Sequence, residues 1–255
     1  MRAILSVASV TFRESIRNRT VLAVLLAAIG FICSALLLAA MALDQRERVI
    51  KDWGLFCVSF FGVLLAILIG VNLVSKELKR KTLYVVLSRP VHRFQYVIGK
   101  YLGMGLTLLA EVGALSAALF VLLAIEGVAP EGLIVKSLCV SLIEVLFVAA
   151  LAIFFASFSS PYLSGFFTLA LFVVGRSLPA LNTLADKVDA PLPHLLLKLV
   201  YFVLPDFSLF NMSTRAVHGL NIPAGEVLLV ACYGVGYLVL LLFLACLIFS
   251  RRDIS

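Results

Sequence analysis

Charged residues are scarce in this sequence. Asp, Glu, Lys and Arg account for 14% of its 255 residues, whereas soluble domains carry about 25%. Apolar residues make up 63% of the chain, which is more than one soluble core can bury. A bilayer is the second apolar environment that accommodates such an excess. The composition therefore excludes an ordinary soluble domain and predicts a membrane protein.

Several site motifs are also missing. The cysteines show no CxxC spacing and all fall in apolar runs, so we expect neither a disulfide framework nor a zinc site. His194, Met212 and His218 match no ligand spacing, and we expect no metal. The sequence has no G-x-x-x-x-G-K-[ST], which excludes a P-loop nucleotide site in this chain.

Six apolar runs predict six membrane-spanning helices in a single all-α domain, residues 1–255. Each run is long enough to cross about 30 Å of hydrocarbon. The predicted spans are Val21–Leu43, Trp53–Ser75, Tyr101–Ile125, Ser137–Phe158, Leu163–Leu181 and Glu226–Phe249.

Two further segments flank these spans. Residues 1–20 form an amphipathic pattern, with basic residues opposite an apolar face, which is typical of a helix in the headgroup layer. That face comprises Met1, Ile4, Leu5, Ala8, Phe12 and Ile16. A cleaved signal peptide is disfavoured because its charged and apolar stretches are too long. In residues 182–225, a short apolar stretch between Pro193 and Pro205 predicts a re-entrant or interfacial helix.

The distribution of basic residues predicts the orientation. Thirteen Lys and Arg residues fall on the side of the two termini and residues 76–100, against seven on the other side. The more basic side of a membrane protein is cytoplasmic. We therefore expect both termini inside and residues 182–225 outside. The net charge of +7 follows from the same rule, and we expect no binding of nucleic acid.

Residues 76–100 form a basic, polar loop in this prediction. The sequence from Glu77 to Gly103 is ELKRKTLYVVLSRPVHRFQYVIGKYLG. It resembles the cytoplasmic loop of ABC-2-type transporter permeases, whose pattern is roughly Glu…Gly-Thr-Leu…Leu-Ser-x-Pro-Val-x-Arg…Gly-Lys-x-Leu-Gly. Lys81 stands where that pattern has glycine. The likeness extends over the whole chain and is greatest to half-size permeases similar to the nitrous-oxide reductase maturation and gliding-motility type.

The resemblance implies a subunit that is not itself an enzyme. Its loop would hold a coupling helix seated on a separate ATPase subunit, which would bind ATP and Mg. The permease would form a homodimer, or a heterodimer with a related permease, in the inner membrane of a prokaryote, and would export its substrate. The coupling residues would be Glu77, Thr82, Leu83, Val86, Leu87, Arg89, Pro90 and Arg93. Their apolar members share one helical face suited to a groove on a partner.

Three ionisable residues fall inside predicted spans, where charge is costly and usually faces the bundle interior or a wet cavity. Glu144 and Arg176 lie at similar depth and could form an ion pair that locks helix packing, or could line a substrate path. Glu111 has no evident partner at its depth, which makes it the better candidate for a path. Gly99 and Gly103 fit a small-xxx-small packing motif, although a loop-to-helix junction explains Gly99 equally well.

Other functions remain open. The same fold and ATPase could serve a non-transporting membrane anchor or mechanical transducer. An intramembrane enzyme is disfavoured because Ser164-Gly165 lacks an upstream glycine and no histidine lies in a span. Residues 182–225 could dock a periplasmic or extracellular partner.

Overall fold

The described part of the chain is helical throughout its regular structure. The computed structural model describes residues 2–42, 45–80, 93–129, 131–185, 198, 201 and 204–251. The α-helices discussed below are α1 (Arg2–Ile16), α2 (Arg19–Cys33), α3 (Ala35–Met41), α4 (Arg46–Arg80), α5 (Arg93–Ile125), α6 (Gly132–Ala156), α7 (Pro161–Arg176), α8 (Leu178–Ala185), α9 (Ser213–Val217) and α10 (Ala224–Arg251).

Five helical stretches in the described residues are long and apolar enough to cross a membrane. They are Arg19–Met41, Arg46–Asn72, Phe94–Ile125, Gly132–Ala156 and Ala224–Phe249. The pair α7–α8 makes a sixth if it is one span, broken by a bend of 56°. The structure thus confirms the predicted all-α integral membrane fold, with five or six spans.

Helices α4 and α6 form the centre of the bundle. A Cβ placed on Gly62 of α4 would lie 2.7 Å from Cγ2 of Val145, and one on Gly70 would lie 2.6 Å from Cβ of Ala152. The two glycines therefore let the helix backbones approach closely, as small residues do at membrane helix interfaces. The first and last spans are peripheral, with large apolar side chains such as Leu26 and Phe243 exposed, which suits contact with lipid.

The two helices that flank the predicted polar loop, residues 76–100, both extend into it. Helix α4 begins at Arg46 and continues to Arg80, and α5 begins at Arg93. At 1.5 Å per residue each helix is about 50 Å long, which exceeds the hydrocarbon core and the headgroup layers. The prediction ended the spans where polarity changed. A helix does not end there, because Lys, Glu and Arg are good helix formers in water.

Helix α1 forms as predicted, and one of its faces packs against the bundle, a contact that the sequence did not indicate. Ala8, Thr11 and Ser15 are buried, whereas Leu5 is 67% exposed. The buried face packs on the start of α5, where a Cβ on Gly103 would lie 2.5 Å from the carbonyl oxygen of Ala8. Small residues are buried here because two backbones meet, so the larger apolar side chains point away.

This contact also decides between the two interpretations of Gly99. A Cβ at Gly99 would lie 2.9 Å from Cβ of Val7, so α1 packs closely on both glycines. Gly99 is therefore part of the helix-packing motif.

The chain turns between α1 and α2 at Asn18. Its side chain accepts a hydrogen bond from the Thr20 backbone N–H at 3.1 Å and caps α2.

The fifth span is not the continuous helix predicted for Leu163–Leu181. Helix α7 ends at Arg176, and α8 leaves at an angle after Ser177. At the break, the backbone N–H of Phe207 donates to the carbonyl of Gly175 at 3.2 Å. A Cβ on Gly175 would lie 2.6 Å from the Pro205 carbonyl oxygen. The break is therefore occupied by a distant part of the chain, which no local sequence pattern reveals.

Candidate functional site: the basic segment and the charged cavity

The predicted coupling residues fall mainly on the segment between α4 and α5. Glu77 lies on the last turns of α4, and Arg93 is the first residue of α5. The other six, Thr82, Leu83, Val86, Leu87, Arg89 and Pro90, lie outside the described residues. Their grouping as a docking surface stays a prediction.

The structure brings Glu144 and Arg176 together. The Glu144 carboxylate, 1% exposed, forms an ion pair with the Arg176 guanidinium, which is 30% exposed. The hydroxyl of Ser59 donates to the other carboxylate oxygen at 2.9 Å. These three side chains join α4, α6 and the end of α7. A buried carboxylate held by an arginine and a hydroxyl satisfies the requirement that charge in a membrane interior be paired.

Glu111 has no such support. Its side chain is 5% exposed, and neither carboxylate oxygen has a hydrogen-bond partner among the described residues. It lies on the same face of α5 as Thr107 and Gly103, at four-residue spacing. An unsatisfied buried carboxyl group destabilises the fold by a few kcal/mol, so its presence needs an explanation other than packing.

Polar contacts tie the predicted outer segments together. The ammonium group of Lys51, 3% exposed, lies 2.7 Å from a carboxylate oxygen of Glu131 and also pairs with Glu47. The ammonium group of Lys136 donates to the carbonyl of Ile222 at 2.7 Å. The segments 44–52, 126–136 and 182–225 therefore meet at one end of the bundle, as the alternating topology requires.

The outer segment also contributes to the core, which the sequence prediction missed. Phe207 and Phe210 are fully buried, and the ring of Phe207 stacks on Phe147 at a centroid distance of 4.6 Å. Most residues between Pro193 and Pro205 lie outside the described ones, so the re-entrant or interfacial helix predicted there is not tested. Two phenylalanines three residues apart, just after Pro205, are the sequence signal that could have indicated this packing. In the structure the Asp206 side chain accepts a hydrogen bond from the Ser208 backbone N–H, which begins a turn there.

A cavity of about 350 Å³ is lined by Arg176 of the Glu144–Arg176 pair. We call it the outer cavity, because it lies at the end of the bundle that the distribution of basic residues predicts to face outside. Its polar lining comes from Asp52, Ser59, Ser141, Arg176, Asn211, Ser213 and Thr214, and its apolar lining from Trp53, Leu55, Phe56 and Phe210. Residues of α4, α6, α7 and the segment around α9 therefore share one pocket.

The three residues weighed as metal ligands do not form a described cluster. Met212 is buried and His218 is exposed at the end of α9, while His194 lies outside the described residues. Across the part of the chain that the structure describes, no group of three His, Cys, Asp or Glu side chains could hold a metal ion.

Comparison with known families supports a transporter. The sequence profile described as "ABC-2 family transporter protein" matches residues 5–254, which is nearly the whole chain. Curated proteins, by contrast, include none that matches it significantly. The family match and the helical bundle agree on a multi-pass membrane protein. The chain therefore belongs to the ABC-2 family of transporter proteins.

Proposed function

We propose that this chain is the membrane subunit through which a separate ATPase drives export of a substrate. The observation that carries the proposal is the family match over residues 5–254. Two features of the chain support it. Helices α4 and α5 are long enough to extend past the bilayer, and they carry the basic segment between them. The chain has no P-loop of its own, so ATP and Mg would bind to the partner.

The residues proposed for coupling divide into two roles. Leu83, Val86 and Leu87 share a helical face and would fill a groove on the ATPase. Arg89 and Arg93 would position the segment against it. Because α4 leads into the segment and α5 leads out of it, a movement of the ATPase at this point would be transmitted along both helices into the bundle.

The assembly would contain two copies of this chain, or one copy and a related permease, in a prokaryotic inner membrane with both termini in the cytoplasm. The exposed apolar side chains of the peripheral spans fit lipid and a second subunit alike. A periplasmic or extracellular partner at residues 182–225 stays part of the proposal, now restricted to the part of that segment not packed into the core.

The experiment that tests coupling is affinity purification from the native membrane, followed by mass spectrometry. We expect a stoichiometric ATP-binding subunit. A variant with Leu83, Val86 and Leu87 all changed to Ser should lose that subunit. The matched control changes the same three residues to Ile, which keeps the face apolar and should retain it. Co-purification that the Ser variant leaves unchanged would contradict the proposed docking face.

A further inference from the structure

The position of Trp53 indicates that the outer cavity lies at the level of the lipid headgroups. Trp53, a residue type that prefers the membrane interface, forms part of its wall, and Ser59 lies six residues further along α4, about 9 Å deeper. The indole N–H of Trp53 donates to the Phe31 carbonyl at 2.9 Å, which fixes the ring in place. The cavity thus runs from the interface into one leaflet between fixed walls.

The cavity contains charges of both signs. Asp52 is exposed at its mouth, and Arg176 lies deeper, beside the buried serines Ser59 and Ser141. Glu144, which does not line the cavity, already neutralises the charge of Arg176. A simple anion would therefore meet a net negative cavity, whereas a group with a phosphate near Arg176 and an amine near Asp52 would match both charges.

An aromatic ladder leads out of the cavity along α4. The ring of Trp53 lies 5.6 Å from that of Phe56, and Phe56 stacks on Phe60 at 5.6 Å. Phe56 and Phe60 are each about half exposed. Since Trp53 and Phe56 line the cavity and Phe60 continues the row toward the membrane centre, a polar site and an apolar track are joined.

We propose that the outer cavity binds the headgroup of an outer-leaflet phospholipid that carries an amine, with an acyl chain on the ladder of Trp53, Phe56 and Phe60. The volume of about 350 Å³ falls within the range of small-molecule sites and accommodates a headgroup but not a whole lipid. The site is formed within a single chain. Binding therefore needs no ATPase, and the proposal can fail or succeed independently of coupling.

Trp53 is the sole tryptophan of the chain, so its fluorescence reports on this cavity directly. The purified full-length chain in nonionic detergent micelles is titrated with phosphatidylethanolamine brominated on its acyl chains, and separately with brominated phosphatidylglycerol, which lacks the amine. We expect quenching by the amine lipid at a lower mole fraction. Equal quenching by both lipids would mean that Trp53 contacts the surrounding lipid without selectivity for the headgroup, and would overturn the proposal.

Two variants locate the site. Asp52→Asn removes the carboxylate at an exposed position and should reduce the preference for the amine lipid by about two- to five-fold, the range expected for one partly exposed ion pair. The control Glu126→Gln removes a carboxylate from the exposed turn after α5 and should leave the preference unchanged. Thr214→Phe, also exposed, should reduce quenching by filling the cavity. A preference that Asp52→Asn leaves intact would contradict the proposal.

A soluble ligand with the same headgroup chemistry is the remaining alternative. Free phosphoethanolamine is added as a competitor to the amine-lipid titration. Because it lacks acyl chains for the ladder, we expect it to compete at least ten-fold more weakly than the lipid, a factor that burial of about two CH2 groups already supplies. Competition equal to that of the lipid would replace the lipid by a soluble zwitterion and overturn the proposal.

Discussion

Arg176 ends α7 with its guanidinium paired to Glu144, which lies within α6 and is almost completely buried. Ser59 of α4 donates to the same carboxylate. The two charges are unequally placed, because the arginine is partly exposed to the outer cavity and the glutamate is not. This difference determines which side chain is more costly to remove.

Arg176→Gln should destabilise the protein more than Glu144→Gln. The first change leaves a buried carboxylate without its cation, which costs about 3–5 kcal/mol. The second leaves a partly exposed arginine with access to the cavity, and should cost about 1–3 kcal/mol. Unfolding in mixed detergent micelles measures both.

The double variant Glu144→Gln with Arg176→Gln serves as the control, because it leaves no unpaired charge. It should be more stable than Arg176→Gln alone, which gives a favourable coupling energy in the double-mutant cycle. Additive effects would mean that the pair does not lock α6 to α7.

Gly103→Leu should detach α1 from α5. A Cβ at this position would lie 2.5 Å from the Ala8 carbonyl oxygen and 2.6 Å from Cβ of Thr11, so a backbone has to move, at a cost of about 1–3 kcal/mol. Protease cleavage within residues 2–16 should become faster. Gly113→Leu on the same helix is the control, since nothing lies within 4 Å of its Cβ. Equal cleavage rates for the two variants would contradict the packing.

Phe207→Ala should loosen the outer segment. The Phe207 ring is fully buried between Phe147 and Phe172, and truncation of a buried phenylalanine costs about 3–5 kcal/mol. Hydrogen exchange of the Phe207 and Phe210 amides should accelerate. Phe166→Ala is the matched control because Phe166 is 64% exposed. Unchanged exchange in Phe207→Ala would show that the segment is held by other contacts.

The sequence predicted the elements that depend on apolar length alone. The first and last spans were placed within two residues at each end, because about 20 apolar residues must be helical in a bilayer. An ion pair between Glu144 and Arg176 was one of two alternatives that followed from their similar depth, since buried charges need partners. These predictions need no knowledge of which helices are neighbours.

The features that the sequence did not indicate arise where long-range contacts decide the structure. The buried face of α1 is set by Gly99 and Gly103, about ninety residues away, and the break after Arg176 is occupied by Phe207. Hydrophobicity of the isolated helix cannot show either contact. The ends of α4 and α5 were missed for a different reason, because helix ends and membrane boundaries are separate properties.

Glu111→Leu should stabilise the described conformation. Neither carboxylate oxygen has a described partner, so removal of the group relieves a desolvation cost of about 1–3 kcal/mol. Unfolding in micelles should show the gain. Glu126→Leu, in an exposed turn, should change stability by no more than about 0.5 kcal/mol. A loss of stability in Glu111→Leu would reveal a partner for the carboxylate and weaken its assignment to a substrate path.

The orientation can be tested with single cysteines at the two ends of α6. In a chain whose five cysteines are replaced by Ala, Ser160→Cys and Glu126→Cys introduce thiols at exposed turns. The 25 residues of α6 span about 37 Å, which separates the two turns by more than the hydrocarbon core. The excess of Lys and Arg on the side of the termini places Ser160 inside and Glu126 outside.

A membrane-impermeant maleimide is added to cells whose outer envelope has been made permeable but whose inner membrane is intact. It should label Glu126→Cys and leave Ser160→Cys unlabelled until the inner membrane is disrupted. Inverted vesicles should give the opposite pattern. Replacement of Ser160 should not disturb α7, because its side chain makes no capping hydrogen bond. Labelling of both cysteines from one side would mean that α6 does not cross the membrane. A reversed pattern would place residues 76–100 outside, where no cytoplasmic ATPase could reach them, and would end the coupling proposal.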